Sequence, residues 1–258
     1  MVPGLVRMIL NIVIPMAGRG SRFQEAGYTL PKPLIEVHGK AMIELVVHNL
    51  RPKRPHRFIF LCLKEHLEGY RIDQKLKKLA PGCRIVTVAS ITQGAACTVL
   101  LAKDLIGSDQ PLMLANSDQW VDFSIEDYLQ TFDASSWDGA ILTMTAANPK
   151  WSFVRLNERG EITEVVEKQA VSDEATVGVY NYRRGKDFVR GAEGMIRKNL
   201  RVNNEFYVAP AFNELLQEDK RIGYVNIGSD TEGMYGLGTP QDLERFLGLP
   251  IARKAVSF

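Results

Sequence analysis

The chain has 258 residues, of which 45% are hydrophobic and 24% charged, the balance of an ordinary folded domain. Lys and Arg number 32 against 30 Asp and Glu, and the net charge of +2 is too small for a surface devoted to nucleic acid or to an anionic membrane. No apolar run approaches the roughly 18 residues of a bilayer span, and the length allows about one large or two small domains.

Met1–Arg7 holds one Arg and a short apolar run without a signal-peptide pattern, and Met8 is an alternative start. Ile9–Met16, Phe58–Leu63, Arg84–Ala89 and Pro111–Asn116 are near-continuous apolar runs. Such runs predict strands covered on both faces. Between them, Ala41–Arg51, Glu65–Ala80 and Ala95–Ile106 carry helical spacing, as in Met42, Leu45, Val46 and Leu50. This alternation predicts an α/β fold of three layers, Rossmann-like, with a mixed, mainly parallel sheet. From Gly139 onward the strand patterns crowd together, at Ala140–Ala146, Ser152–Asn157, Glu161–Lys168 and Ala175–Tyr182, with a turn at Asn157–Gly160, so this region is expected to be more antiparallel. Helices are expected over Lys186–Leu200 and Val208–Glu218, then a strand over Arg221–Ile227. A last helix opens with Thr239 as N-cap and Pro240 at its first position. No Gly-, Ser- or Pro-rich linker divides the chain, which predicts one body of two lobes, 8–138 and 139–247, with a C-terminal tail over 248–258.

The cysteines, Cys62, Cys83 and Cys97, are odd in number and far apart, which predicts reduced thiols and a cytoplasmic setting. His38, His48, His56 and His66 never fall into a zinc-ligand spacing. The basic stretch Arg51–Arg57 is short and broken by proline, a solvated connector rather than a nucleic-acid site.

Chemistry concentrates after the first strand, in Ala17-Gly18-Arg19-Gly20-Ser21-Arg22-Phe23, and in Pro31-Lys32-Pro33-Leu34. Small residues at the carboxyl end of a strand let backbone N–H groups approach an anion, and parallel sheets bind ligands at that end. Arg19, Arg22 and Lys32 add cations suited to phosphate oxygens. The two prolines fix the backbone on either side of Lys32, which argues for a placed lysine rather than a solvated one. The pattern is not a Walker loop, because Gly-x-x-x-x-Gly-Lys-Ser/Thr is absent, nor a dinucleotide fingerprint, because Phe23 stands where Gly or Ala is needed. No Ser/His/Asp constellation and no Asp-x-Asp triplet is found.

With these residues on the page, the chain resembles the nucleotidyltransferases that activate sugar 1-phosphates. The resemblance runs through Gln93-Gly94-Ala95, Asn116-Ser117-Asp118-Gln119, Val166-Glu167-Lys168, Val177-Gly178-Val179-Tyr180 and Gly236-Leu237-Gly238-Thr239-Pro240, in family order over roughly residues 9 to 247. It implies the GT-A-like nucleotidyltransferase fold and a Mg²⁺-dependent transfer of a nucleoside monophosphate from an NTP to a sugar 1-phosphate, with release of pyrophosphate. It implies a place in polysaccharide biosynthesis, small-molecule partners rather than nucleic acid or membrane, and is compatible with a homo-oligomer. Arg22, Lys32 and Asp118 would be catalytic, with Arg22 on the triphosphate, Lys32 near the α-phosphate and Asp118 on the metal. Ala17, Gly18, Gly20, Gln93 and Gly94 would face the nucleotide. Lys168 would bind the acceptor phosphate, Glu167 an acceptor hydroxyl or amine, and Gly178 would leave room for the acceptor. Asn116, Gln119 and the segment Asn203–Tyr207 are weaker candidates.

The chain also departs from this pattern. Gly236 stands where sugar-activating enzymes carry a second metal carboxylate, so Asp230, Glu232 or Asp242 must supply it, with Asp230 slightly preferred, or it is missing. The departure admits an alternative, a CTP-dependent transferase acting on a non-sugar phosphate such as a phosphocholine-like or phosphoamide-like acceptor. The sequence ends soon after its last helix, so no appended left-handed β-helix is expected.

Overall fold

The fold is given by a computed structural model that describes residues 8–258; the expectations for Met1–Arg7 lie outside those residues. The strands, in chain order, are β1 (Leu10–Met16), β2 (Glu36–Val37), β3 (Lys40–Ala41), β4 (His56–Leu63), β5 (Arg84–Val88), β6 (Leu112–Ala115), β7 (Gln119–Val121), β8 (Gly139–Thr145), β9 (Ser152–Leu156), β10 (Ile162–Glu167), β11 (Glu174–Tyr182), β12 (Ile222–Asp230) and β13 (Gly233–Gly236). Eleven of them form one sheet ordered β5-β4-β1-β6-β11-β8-β12-β13-β7, with β9 paired to β10 and β11, while β2 and β3 form a separate pair. The neighbours β5, β4, β1 and β6 run parallel, β11 lies antiparallel between β6 and β8, and β12 is parallel to β8.

The strand period explains why the central runs are apolar throughout. Successive side chains point to opposite faces. Leu10, Ile12, Ile14 and Met16 of β1 pack into one core with Ile43, Val46, Val47 and Leu50 of the helix Met42–Leu50. Val13 packs into another with Ile59 and Leu61 of β4 and with Val99, Phe188 and Met195 from helices on the opposite face. Helix, sheet and helix make the three layers. After β1 the chain builds β4 and β5 on one side, then returns to lay β6 on the other. This reversal leaves a crevice at the carboxyl ends of β1 and β6, where open α/β sheets hold ligands.

Several elements differ from their sequence patterns. The helix expected over Glu65–Ala80 breaks at Arg71, which adopts φ 48° between the helices Lys64–Tyr70 and Ile72–Leu79. Ala95–Ile106 likewise divides into Ala95–Leu100 and Lys103–Ile106. Pro210 sits in a 3₁₀ turn, Ala209–Ala211, that precedes the helix Phe212–Leu216. An additional helix, Ile125–Ala134, is capped by Ser124, whose hydroxyl accepts from the Asp127 N–H at 3.2 Å. The expected tail is structured: Ile251–Ala255 is helical, and Ala252 and Ala255 are buried with Trp120, Leu243 and Phe246. One sheet spans residues on both sides of 138/139, since β6 pairs with β11 and β7 with β13.

Cys62, Cys83 and Cys97 are free. Burial pushes the Cys62 thiol up to about 12 and raises the other two. Among the described residues no helix is long and apolar enough to cross a membrane.

Candidate active site

Two adjoining hollows open at the carboxyl ends of β1 and β6. The first, about 510 Å³, is lined by Ala17, Gly18, Arg19, Thr92, Gly94, Ala95, Thr98 and Tyr207 among others. The second, about 570 Å³, is lined by Gly20, Ser21, Arg22, Gln119, Lys150, Trp151, Lys168, Gly236, Thr239 and Asp242 among others. Lys32, Asn116, Asp118 and Glu205 line both. They form the seam between the hollows. A larger hollow, about 860 Å³, lies at the amino edge of the sheet, between Leu10, Pro111 and Arg183, away from this chemistry.

The seam is built by local sequence. Pro31 and Pro33 frame a 3₁₀ turn, Lys32–Leu34, closed by the Leu34 N–H donating to the Pro31 carbonyl at 2.8 Å. From it the Lys32 ammonium donates to Asp118 Oδ2 at 2.8 Å, with the two side chains 21% and 25% exposed. Asp118 stands just beyond β6, and its carbonyl accepts from the Leu237 N–H at 2.8 Å. Gly238 lies close against this carboxylate: a Cβ there would sit 2.9 Å from Asp118 Oδ2 and displace it. Gly20 (φ 66°) turns the chain into the short helix Ser21–Glu25, and a Cβ on it would press on Lys32 Cβ at 3.3 Å.

The structure brings Arg22, Lys32, Asp118, Ala17, Gly18, Gly94 and Lys168 to the two hollows, with Gly20 on the second rather than the first. Gln93, Gly178 and Asp230 stand differently. Gln93 is exposed and absent from the lining, and its carbonyl instead accepts from the Phe206 N–H at 2.8 Å. Gly178 (φ 77°) does not clear space for a ligand: a Cβ there would meet Asn116 Nδ2 at 2.2 Å and Gln119 Oε1 at 2.7 Å, so the space is filled by the chain's own amides. Asp230 lies outside the hollows, 3.2 Å from Arg245 and 4.0 Å from Lys150. The carboxylate that does line the second hollow is Asp242, near the position vacated at 236, where a Cβ would lie 3.9 Å from Asp242 Oδ2. Asp242 is held by Thr239, whose hydroxyl donates to its carboxylate at 2.8 Å and accepts from its N–H at 3.1 Å.

Glu167 also turns inward. It is 5% exposed, and its carboxylate accepts from the Ser152 hydroxyl. Burial holds its pKa above the ordinary carboxylate range, opposed by the Ser152 hydrogen bond and by Lys168, and Glu205 adds to the rise. A carboxyl with a raised pKa keeps its proton after the unfolded chain has lost its own. The folded state therefore loses relative stability as pH rises between the two pKa values. The Glu167→Gln variant removes this loss, so its Tm relative to the parent is expected to climb as pH rises above the ordinary glutamate pKa of about 4.3. A difference that is the same at every pH contradicts the account.

Lys150 and Trp151 were not legible as site residues. They follow the Asn148-Pro149 corner after β8, with the Lys150 ammonium 4.4 Å from the Trp151 ring centroid and within 3.7 Å of Asp242. A Lys-Trp pair after a turn carries no spacing signal that separates it from a solvated loop.

The crevice lies where an open α/β sheet reverses its strand order, the place at which such proteins hold ligands. Residues 11–229 match the family described as nucleotidyl transferase, and the chain belongs to that family. The mannose-1-phosphate guanylyltransferase catalytic subunit beta of Dictyostelium discoideum is 28% identical over 190 residues, covering 66% of this chain and 49% of that protein. The low-salt glycan biosynthesis nucleotidyltransferase of Haloferax volcanii is 23% identical over 242 residues, 90% of this chain and 63% of that one. The chain thus spans about half the length of the first of these relatives. The nucleoside-diphosphate-sugar pyrophosphorylase of Vibrio cholerae RC9 superposes with a TM-score of 0.77 at 27% identity, over 92% of this chain and 100% of that one. A UDP-glucose pyrophosphorylase complexed with UDP-glucose shares the fold, at a TM-score of 0.73 and 19% identity.

Proposed function

We propose that this chain transfers a nucleoside monophosphate from an NTP to a sugar 1-phosphate, releasing pyrophosphate and forming a nucleotide sugar. The observation that carries the reading is the Lys32–Asp118 pair, which lines both hollows at once. The first hollow takes the nucleotide, beside the backbone of Ala17 and Gly18. The second takes the phosphorylated acceptor, with Lys168 on its phosphate. An acceptor phosphate oxygen forms a bond to the α-phosphorus, the bond from that phosphorus to the bridging oxygen of the β-phosphate breaks, and pyrophosphate leaves with the electron pair. The nucleophile is already an anion, so the chain needs no general base; its work is alignment and neutralisation. Arg22 offsets the charge of the triphosphate and of the departing pyrophosphate, and Lys32 the charge gathering at the α-phosphoryl group.

The donor set fits Mg²⁺. Among the described residues no three His, Cys, Asp or Glu side chains gather as a cage. Mg²⁺ is commonly held by one or two carboxylates together with substrate phosphates and waters. Asp118 would hold it, with Asp242 the nearer candidate than Asp230 for a second carboxylate in the acceptor hollow. When bound, the ion would neutralise phosphate charge. The cytoplasmic setting and a role in glycan or polysaccharide synthesis belong to the same proposal, supported by the free thiols and by the Haloferax relative's stated role.

Pyrophosphate release over ATP, CTP, GTP, UTP and dTTP, each with Mg²⁺ and a panel of phosphorylated acceptors, tests the reading. Release with one nucleotide and glucose 1-phosphate or mannose 1-phosphate is expected. Release only with CTP and phosphocholine or a phosphoamide replaces the sugar with the alternative acceptor class, the reading that Gly236 admits. No release with any pair overturns both.

A further inference from the structure

Among the described residues, two side-chain contacts join the hollows. One is the Lys32–Asp118 pair. The other has no role in the scheme above: the Lys168 ammonium, on the second hollow, lies 2.5 Å from the Tyr207 hydroxyl, on the first. An ammonium has only protons to give, so the phenol oxygen accepts and its own O–H stays available. The ammonium also sits 4.8 Å from the Tyr207 ring centroid. Lys168 adopts φ 57°, an uncommon backbone state for a residue with a Cβ, and its N–H donates to the Trp151 carbonyl at 3.0 Å.

Tyr207 is carried by a short strap. Val202 and Glu205 exchange backbone hydrogen bonds of 3.1 and 2.9 Å around Asn203 and Asn204, both at positive φ, the geometry of a two-residue hairpin turn. The next residue fastens the strap to the loop of the first hollow. The Phe206 N–H donates to the Gln93 carbonyl at 2.8 Å, and its carbonyl accepts from the Ala96 N–H at 3.0 Å. Gly94 makes this approach feasible, because a Cβ there would lie 2.5 Å from the Phe206 backbone nitrogen and oxygen. The backbone of the strap is thus held by one hollow while its tyrosine holds the lysine of the other.

We propose that Tyr207 is a positioning residue that couples the two half-sites: its O–H is donated to the bound nucleotide, its oxygen accepts from Lys168, and nucleotide occupancy thereby fixes the ammonium for the acceptor phosphate. This rests on the assignment of nucleotide and acceptor to the two hollows. Coupling between binding sites is reciprocal, so the acceptor tightens nucleotide binding by the same factor.

The experiment measures, by calorimetry, the affinity for glucose 1-phosphate or mannose 1-phosphate with and without the α,β-methylene analogue of the NTP that turns over. In the unaltered protein the analogue is expected to tighten acceptor binding by about tenfold, the scale of one hydrogen bond to a charged group. Tyr207→Phe keeps the ring against Lys168 and removes only the oxygen. It is expected to abolish the tightening and to raise the acceptor KM by about tenfold, while the Kd of the analogue alone rises by only about threefold, the loss of one hydrogen bond. Tyr207→Gln, which returns a donor and an acceptor without the ring, is expected to recover part of the tightening. Undiminished tightening in Tyr207→Phe overturns the proposal, as does an equal loss of nucleotide and acceptor affinity, the mark of a merely structural tyrosine. Lys168→Ala separates the two layers of the argument. If it leaves acceptor affinity intact, the assignment of the second hollow fails and the coupling fails with it. If it weakens the acceptor while Tyr207→Phe retains the tightening, only the coupling fails.

Discussion

Lys32→Ala is expected to lower kcat by roughly 10³-fold, the scale of a cation placed on a transferring phosphoryl group. Nucleotide Kd is expected to change by less than about tenfold, because Arg22 and the backbone of Ala17 and Gly18 remain. The difference follows from where the lysine stands. Its turn is braced by Pro31 and Pro33, and its ammonium lies on the seam rather than deep in either hollow. A cation there meets the charge that gathers as the two substrates react, more than the charge of either substrate alone. The variant should fold, since the partner it abandons, Asp118, is 25% exposed and can be solvated. Single-turnover kinetics beside nucleotide titration provide the check. A kcat within tenfold of the parent, or equal losses in kcat and affinity, would point to a nucleotide-binding protein without this chemistry.

Asp118→Ala is the second large effect, roughly 10³-fold in kcat with the dependence on divalent ion strongly weakened. The substitution removes the carboxylate proposed to hold Mg²⁺ and frees the Lys32 ammonium, whose pairing at 2.8 Å otherwise fixes its position. The two losses share one arrangement. The double variant is therefore expected to be little worse than the poorer single one, the non-additivity of residues that act as a unit. Additive losses would show the pair to be two independent contributors. An Asp118→Ala enzyme with unaltered metal dependence would remove Asp118 as the metal ligand.

Much of the fold was legible in the sequence, and the reasons are physical. The central strands announce themselves because a strand buried on both faces tolerates almost no polar residue, as β1 and β4 illustrate. Lys32 was legible because two prolines restrict a lysine that would otherwise look solvated. The break at Arg71 was hidden because the apolar spacing resumes across it, and one backbone angle leaves no mark on periodicity. β7 and β13, of three and four residues, are too short to show alternation, so the edge that carries Gly236 could not be placed. Gly94 lines the first hollow and also admits the Phe206 backbone, whereas Gly178 faces the Asn116 and Gln119 side chains. A glycine reports that something comes close, and only the fold tells whether it is a ligand, the Asn116 amide or the Phe206 backbone.

The passage of the sheet across residues 138 and 139 restricts how this molecule can be divided. A fragment ending at 138 would strip β11 from β6 and β13 from β7, leaving bare amide flanks in the middle of what had been an interior. Such flanks recruit other chains, so halves expressed separately should precipitate rather than act as a free nucleotide module and a free acceptor module.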